Sequence, residues 1–152
     1  MLYNILTHAH SGLRWLVLVG LVLAIANAFT KWRNGSKFEA GDRKLSVFAM
    51  VATHIQLLLG FALYFISPKV IFDAASMKDA VARFFLVEHI SLMVLAIILI
   101  TIGFSKAKRT ADDTQKFKTT FIFYLIGLLL ILISIPWPFS TSSNKYIWLF
   151  NS

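Results

Sequence analysis

Four apolar stretches, residues 13–29, 45–66, 84–104 and 119–139, set what this chain can fold into. Each is near the ~20 residues that a helix needs to cross a bilayer core. They are apolar nearly all round, whereas a helix packed on a water-soluble core carries a polar stripe at 3.6-residue spacing. The pattern predicts an all-α integral membrane four-helix bundle, up-down-up-down, with the N- and C-termini outside. Its helices are expected over about residues 3–30, 44–67, 83–105 and 117–139 of a single transmembrane domain, 1–152. The composition agrees, because 58% hydrophobic and 14% charged residues fit neither a disordered tail nor an ordinary soluble domain. The first stretch is too long for a signal peptide. It has no basic residue before it until Arg14 and no small-x-small site where Asn27, Phe29 and Lys31 follow, so it is expected to remain a helix of the mature chain.

The formal net charge of +8 is read by position. The first connection carries Lys31, Arg33, Lys37, Arg43 and Lys44, and the third carries Lys106, Lys108, Arg109, Lys116 and Lys118. These are ten of the 15 basic residues. The second connection has Lys69, Lys78 and Arg83 beside Asp73 and Asp79, and the C-terminal tail adds Lys145. The positive-inside rule then puts connections one and three in the cytoplasm. The charge therefore reads as an orientation signal and a contact with lipid headgroups. It does not point to nucleic acid, since no aromatic-basic surface motif accompanies it. Pro68 ends the second helix and Pro136 and Pro138 the fourth; IPWPF and YIWLF place aromatics at the outer interface, and Trp32 lies at the inner one.

A polar side chain inside a bilayer is costly and is a functional candidate by default. The set here is His8, His10, Arg14, His54, Gln56, Glu88 and His89. All four histidines fall in or at the mouth of the first three helices, and the chain has no cysteine, which excludes thiolate metal sites, disulfides and a Cys nucleophile. Counted from Lys31, Lys44 and Lys106 at ~1.5 Å per residue, His10 stands ~31 Å up, Arg14 ~25 Å, His54 ~15 Å, His89 ~25 Å and Glu88 ~27 Å. His8 and His10 point to nearly opposite sides of a helix, while His10 and Arg14, four apart, share a face. Arg14 and Glu88, at matched height, suggest an ion pair, a propionate contact or a proton relay. Gln56, Tyr64, Tyr124, Asn27 and Thr101 read as interhelical hydrogen-bonding residues.

Histidines on facing transmembrane helices suit heme b, whose iron takes an imidazole on either side of the macrocycle. Ser11, Gly12, Gly60 and Ser91 would let the flat ring approach the backbone, and Arg14, with Arg83 and Lys69 above, would meet the anionic propionates. The bland alternative is that each histidine only ties helices together.

At these residues a resemblance appears. HAHSGLRWLVL, THIQLLLGFALYFISP, RFFLVEHISLM and SIPWPF resemble a family of small bacterial four-helix membrane proteins usually named "cytochrome B". The likeness covers nearly the whole chain. It implies a heme-b protein of the bacterial cytoplasmic membrane, with His10, His54 and His89 as axial candidates and His8 as a substitute for His10. One heme is favoured over two, held by His89 with His10 or His54. The expected role is electron transfer linked to the quinone pool and a redox partner protein, with Glu88 carrying a proton near the heme. If the chain is an enzyme, it is a membrane oxidoreductase. Two other readings stand beside it: a non-heme zinc or copper site for binding or transport, which the divergent His8/His10 pair and the spread of heights resist, and a structural anchor or assembly subunit. No nucleophile-and-base set suggests a hydrolase.

Overall fold

The computed structural model describes residues 1–137. Four helices are long and apolar enough to cross a membrane: α1 (Leu2–Arg33), α2 (Ala40–Ile66), α3 (Ala80–Arg109) and α4 (Asp113–Ser134). Among the described residues there is no strand. The sequence expectations on Pro138, Phe139, Lys145 and the YIWLF tail lie outside the described residues.

The helix ends follow from local chemistry. Asn34 and Gly35 close α1, with Gly35 at φ +62°, a conformation that glycine adopts without steric cost. α2 begins at Ala40 rather than near 44, because Glu39 and Asp42 form a reciprocal capping box. Ser67 and Pro68 end it. A short 3-10 turn, Ala74–Met77, is capped by Asp73. Asp79 then caps α3 through the backbone N–H groups of Val81 and Ala82. α3 is interrupted by a π-helical segment, Phe84–Glu88, before the α-helix resumes over His89–Arg109. Asp112 caps α4, which starts four residues before the expected 117 and stops at Ser134, two residues short of Pro136.

Small residues let the helices approach. Ala24, Ala49, Ala52 and Ala96 are buried in the common core with Leu21, Ile100 and Tyr124. On the α3–α4 contact, a Cβ on Gly127 would lie 2.6 Å from Cγ1 of Ile100, and one on Gly103 would overlap Phe123. Asn27 of α1 bonds Asp42 of α2 at 2.8 Å, Tyr124 of α4 donates to the Ser46 carbonyl at 2.8 Å, and Gln56 of α2 donates to the His10 carbonyl at 2.9 Å.

Candidate functional site

One cavity opens among α1, α2, α3 and the segment after α2. It is a partly open cleft, about 1310 Å³ of atom-free space when the solvent at its mouth is counted. Its walls are mainly apolar, from Val17, Leu57, Phe61, Met93, Ile97 and Ile131. The polar groups on it are few: His10, Arg14 and Ser11 from α1, Gln56 and Tyr64 from α2, Lys69 beyond α2, and His89 from α3.

His10 rests on α2. A Cβ on Gly60 would lie 3.3 Å from Cε1 of His10 and 3.9 Å from Nδ1, so the imidazole occupies the space that glycine leaves. Gly60, expected to let a macrocycle approach the backbone, instead makes room for the side chain of His10. Gln56 lies one helical turn before Gly60 on the same face of α2. Its amide N–H already holds the His10 carbonyl. Two buried atoms at this contact have no hydrogen-bond partner: Nδ1 of His10 and Oε1 of Gln56. One can be a donor and the other is an acceptor, and buried groups of this kind are usually satisfied.

His89 is held differently. Its Nδ1 lies 2.9 Å from the Ser134 carbonyl and 3.2 Å from the Ser134 hydroxyl. A carbonyl only accepts, so Nδ1 carries the proton and Nε2 keeps its lone pair. That arrangement is how a ligating histidine is normally oriented. The π-helical segment ends immediately before His89, whose backbone N–H reaches back five residues to Phe84. Such a segment re-aims the side chains that follow it, and Tyr64 braces it by donating to the Leu86 carbonyl at 2.8 Å.

The other sequence candidates go elsewhere. His8 is exposed and does not line the cavity, as its divergence from His10 requires. His54 faces α3 instead of the cavity: Nδ1 bonds the Met50 carbonyl at 2.8 Å and Nε2 meets the Thr101 hydroxyl at 3.2 Å. Both its nitrogens are engaged in helix-to-helix and within-helix bonds. Glu88 is half exposed and pairs with Arg83 at 2.8 Å, so the matched height of Arg14 and Glu88 does not bring them together. Glu88 is the last residue of the π-helical segment. Arg83, bonded also to the Met77 carbonyl, is likewise committed outside the cavity. Arg14 lines the cavity and lies over the Trp15 ring at 5.4 Å.

Gln56, Tyr64, Tyr124, Asn27 and Thr101 all make the interhelical hydrogen bonds expected of them. Ser134 was not singled out from the sequence; a lone serine near the end of an apolar run carries no signal of its own. Among the described residues no three His, Cys, Asp or Glu side chains converge as a metal site, so a zinc ion would lack its usual ligand set. Two imidazoles and apolar walls remain, a donor set that fits a macrocycle bringing its own equatorial nitrogens. Compared with known proteins, the chain matches no family model, no curated protein and no solved structure.

Proposed function

We propose that the chain is a multi-pass protein of the bacterial cytoplasmic membrane that binds one heme b between His10 and His89 and passes electrons between the quinone pool and a partner protein. The single observation carrying this reading is that His10 and His89, from different helices, line one apolar cavity, and that His89 has its Nδ1 proton tied to the Ser134 carbonyl. The up-down-up-down arrangement is supported by the residue pairs Asn27–Asp42, Gln56–His10, Tyr64–Leu86 and His89–Ser134, which all run in opposite senses along neighbouring helices. The basic first and third connections support termini on the outer side. The four-helix bacterial "cytochrome B" proteins that the sequence resembles support the same assignment.

Bound here, heme b would supply one-electron chemistry. The rest is the work of the chain. His89 presents Nε2 because Ser134 fixes its tautomer and ring plane. His10 is seated by Gly60, and its backbone carbonyl accepts from the Gln56 amide. Arg14 and Lys69 offer positive charge to carboxylates at the rim. The mainly apolar walls would lower the local polarity around the group, which tunes potential as well as affinity. Of the two partners considered for His89, His10 is kept and His54 is set aside, because the cavity lining does not include it.

The test is the dithionite-reduced minus air-oxidised optical spectrum of the detergent-purified chain. Sharp b-type bands at one heme per chain are expected. A protein that remains colourless after expression with a heme precursor overturns the proposal and leaves the anchor or assembly-subunit reading.

A further inference from the structure

A second concavity lies on the opposite side of the α1–α2 pair from the histidine cavity, and nothing in the heme reading uses it. Its walls are Leu16 of α1 and Val47, Phe48, Val51 and Ile55 of α2. Leu16, Phe48, Val51 and Ile55 are each exposed, so this face meets the surroundings rather than the bundle core. The groove exists because small residues form its floor: Ala52 is buried, and Phe48 lies against Gly20, where a Cβ would come within 3.1 Å of the ring. At one end stand Arg43 and Lys44. Both are exposed, and neither makes a salt bridge among the described residues. The neighbouring carboxylates are already engaged: Asp42 holds Lys31 and Asn27, and Glu39 serves the capping box.

From Arg43 to Ile55 the groove runs twelve residues of helix, ~18 Å. Half of a bilayer core is ~15 Å. The ligand that matches has an anion at one end and a hydrocarbon chain about one leaflet long. We propose that the α1–α2 groove is a binding site for one anionic glycerophospholipid, its phosphate on Arg43 and Lys44 and an acyl chain along Phe48, Val51 and Ile55. Cations at the cytoplasmic ends of transmembrane helices recognise such headgroups. The proposal rests on the membrane reading above and is independent of heme.

Native mass spectrometry of the detergent-purified full chain tests it, with phosphatidylglycerol and phosphatidylcholine of the same acyl chains as probes. One phosphatidylglycerol per chain should be retained in preference to phosphatidylcholine. The double variant Arg43→Ala/Lys44→Ala should weaken that binding about thirtyfold, from two headgroup cations. Lys108→Ala/Arg109→Ala, which removes two cations of the third connection, should leave it unchanged. Val47→Trp, filling the groove with both cations intact, should also weaken it. Equal retention of the two lipids, equal loss in both double variants, or pairing of two chains over this face with no lipid held would each overturn the site. The heme spectrum should be the same in all these variants, so loss of heme and loss of lipid are told apart. A chain that stays in solution without detergent would overturn the membrane reading instead.

Discussion

The two ends of the bundle are built on different terms. At the end bearing the basic connections, polar groups are satisfied and packing is close. Asp42, 4% exposed, accepts from Lys31, Asn27 and the Glu39 backbone N–H. Tyr124 and Phe117 are fully buried, and the Tyr124 hydroxyl donates to the Ser46 carbonyl. At the other end, the helices part around a cavity, α3 carries a π-helical segment, and Nδ1 of His10 and Oε1 of Gln56 are buried without partners. Departures from regular helix and from full hydrogen bonding gather where a site is proposed, and the compact end holds the helices in register around it. Such local violations are expected at functional positions and are tolerated because the rest of the fold is consistent.

This division predicts that substitutions at one end change binding and those at the other change stability. The largest effect is expected at His89. His89→Ala should abolish heme retention, while its cost in melting temperature is confined to the bonds to Ser134 and the ring contact with Phe84. Full heme content in that variant would sink the assignment. Asp42→Ala is the counterpart. It leaves Lys31 and Asn27 without their shared acceptor, and it should cost about 2 kcal/mol of stability, as for loss of hydrogen bonds to a charged group. Heme per folded chain should stay the same, read by absorbance against denaturant unfolding monitored by circular dichroism. If heme affinity fell with stability, the two ends would be coupled and the division would fail.

A sharper comparison is between the two ligand candidates. His89 has an orienting acceptor in Ser134, whereas Nδ1 of His10 and Oε1 of Gln56 are both buried without a partner. Binding at Nε2 of His10 would place the proton on Nδ1, and Gln56→Leu asks whether the side chain of Gln56, rather than its backbone beside the ring, orients it. Gln56→Leu keeps the volume and removes both the acceptor and the bond to the His10 carbonyl. Heme affinity should fall about tenfold, as for loss of an orienting partner. The reduced spectrum should remain b-type. Unchanged affinity in a heme titration would show that Gln56 serves only the helix contact.

Much of this was legible in the sequence, for identifiable reasons. Bilayer-length apolar runs are a long-range signal, so the four helices could be read directly. Their ends were misjudged where charged capping residues extend a helix beyond its apolar run, as Glu39 and Asp42 do for α2 and Asp112 does for α4. The divergence of His8 from His10 follows from helical geometry alone. The π-helical segment could not be read, because FFLVE has no periodicity that separates it from α-helix. The height count matched Glu88 with Arg14, but height does not fix facing, and Glu88 pairs with Arg83 of its own helix. The partner of His54 was hidden for another reason: Thr101 is 47 residues away, and only packing reveals the pair.

The smallest predicted effect is at that pair, and it discriminates most finely between histidine as ligand and histidine as helix tie. Nδ1 of His54 must donate to the Met50 carbonyl, so in the neutral ring Nε2 is left to accept from the Thr101 hydroxyl. That hydroxyl has a single proton and also lies 2.7 Å from the Ile97 carbonyl. The Thr101–His54 contact is therefore shared with a bond inside α3. An interhelical hydrogen bond of this kind contributes about 0.6 kcal/mol in a membrane protein. His54→Ala and Thr101→Val should each lower stability by about that amount, and the double variant should cost little more than either alone. Both should retain heme at full stoichiometry with unchanged bands. Loss of heme in His54→Ala alone, with Thr101→Val normal, would return His54 to the axial position and require α2 to turn it into the cavity that His10 now occupies.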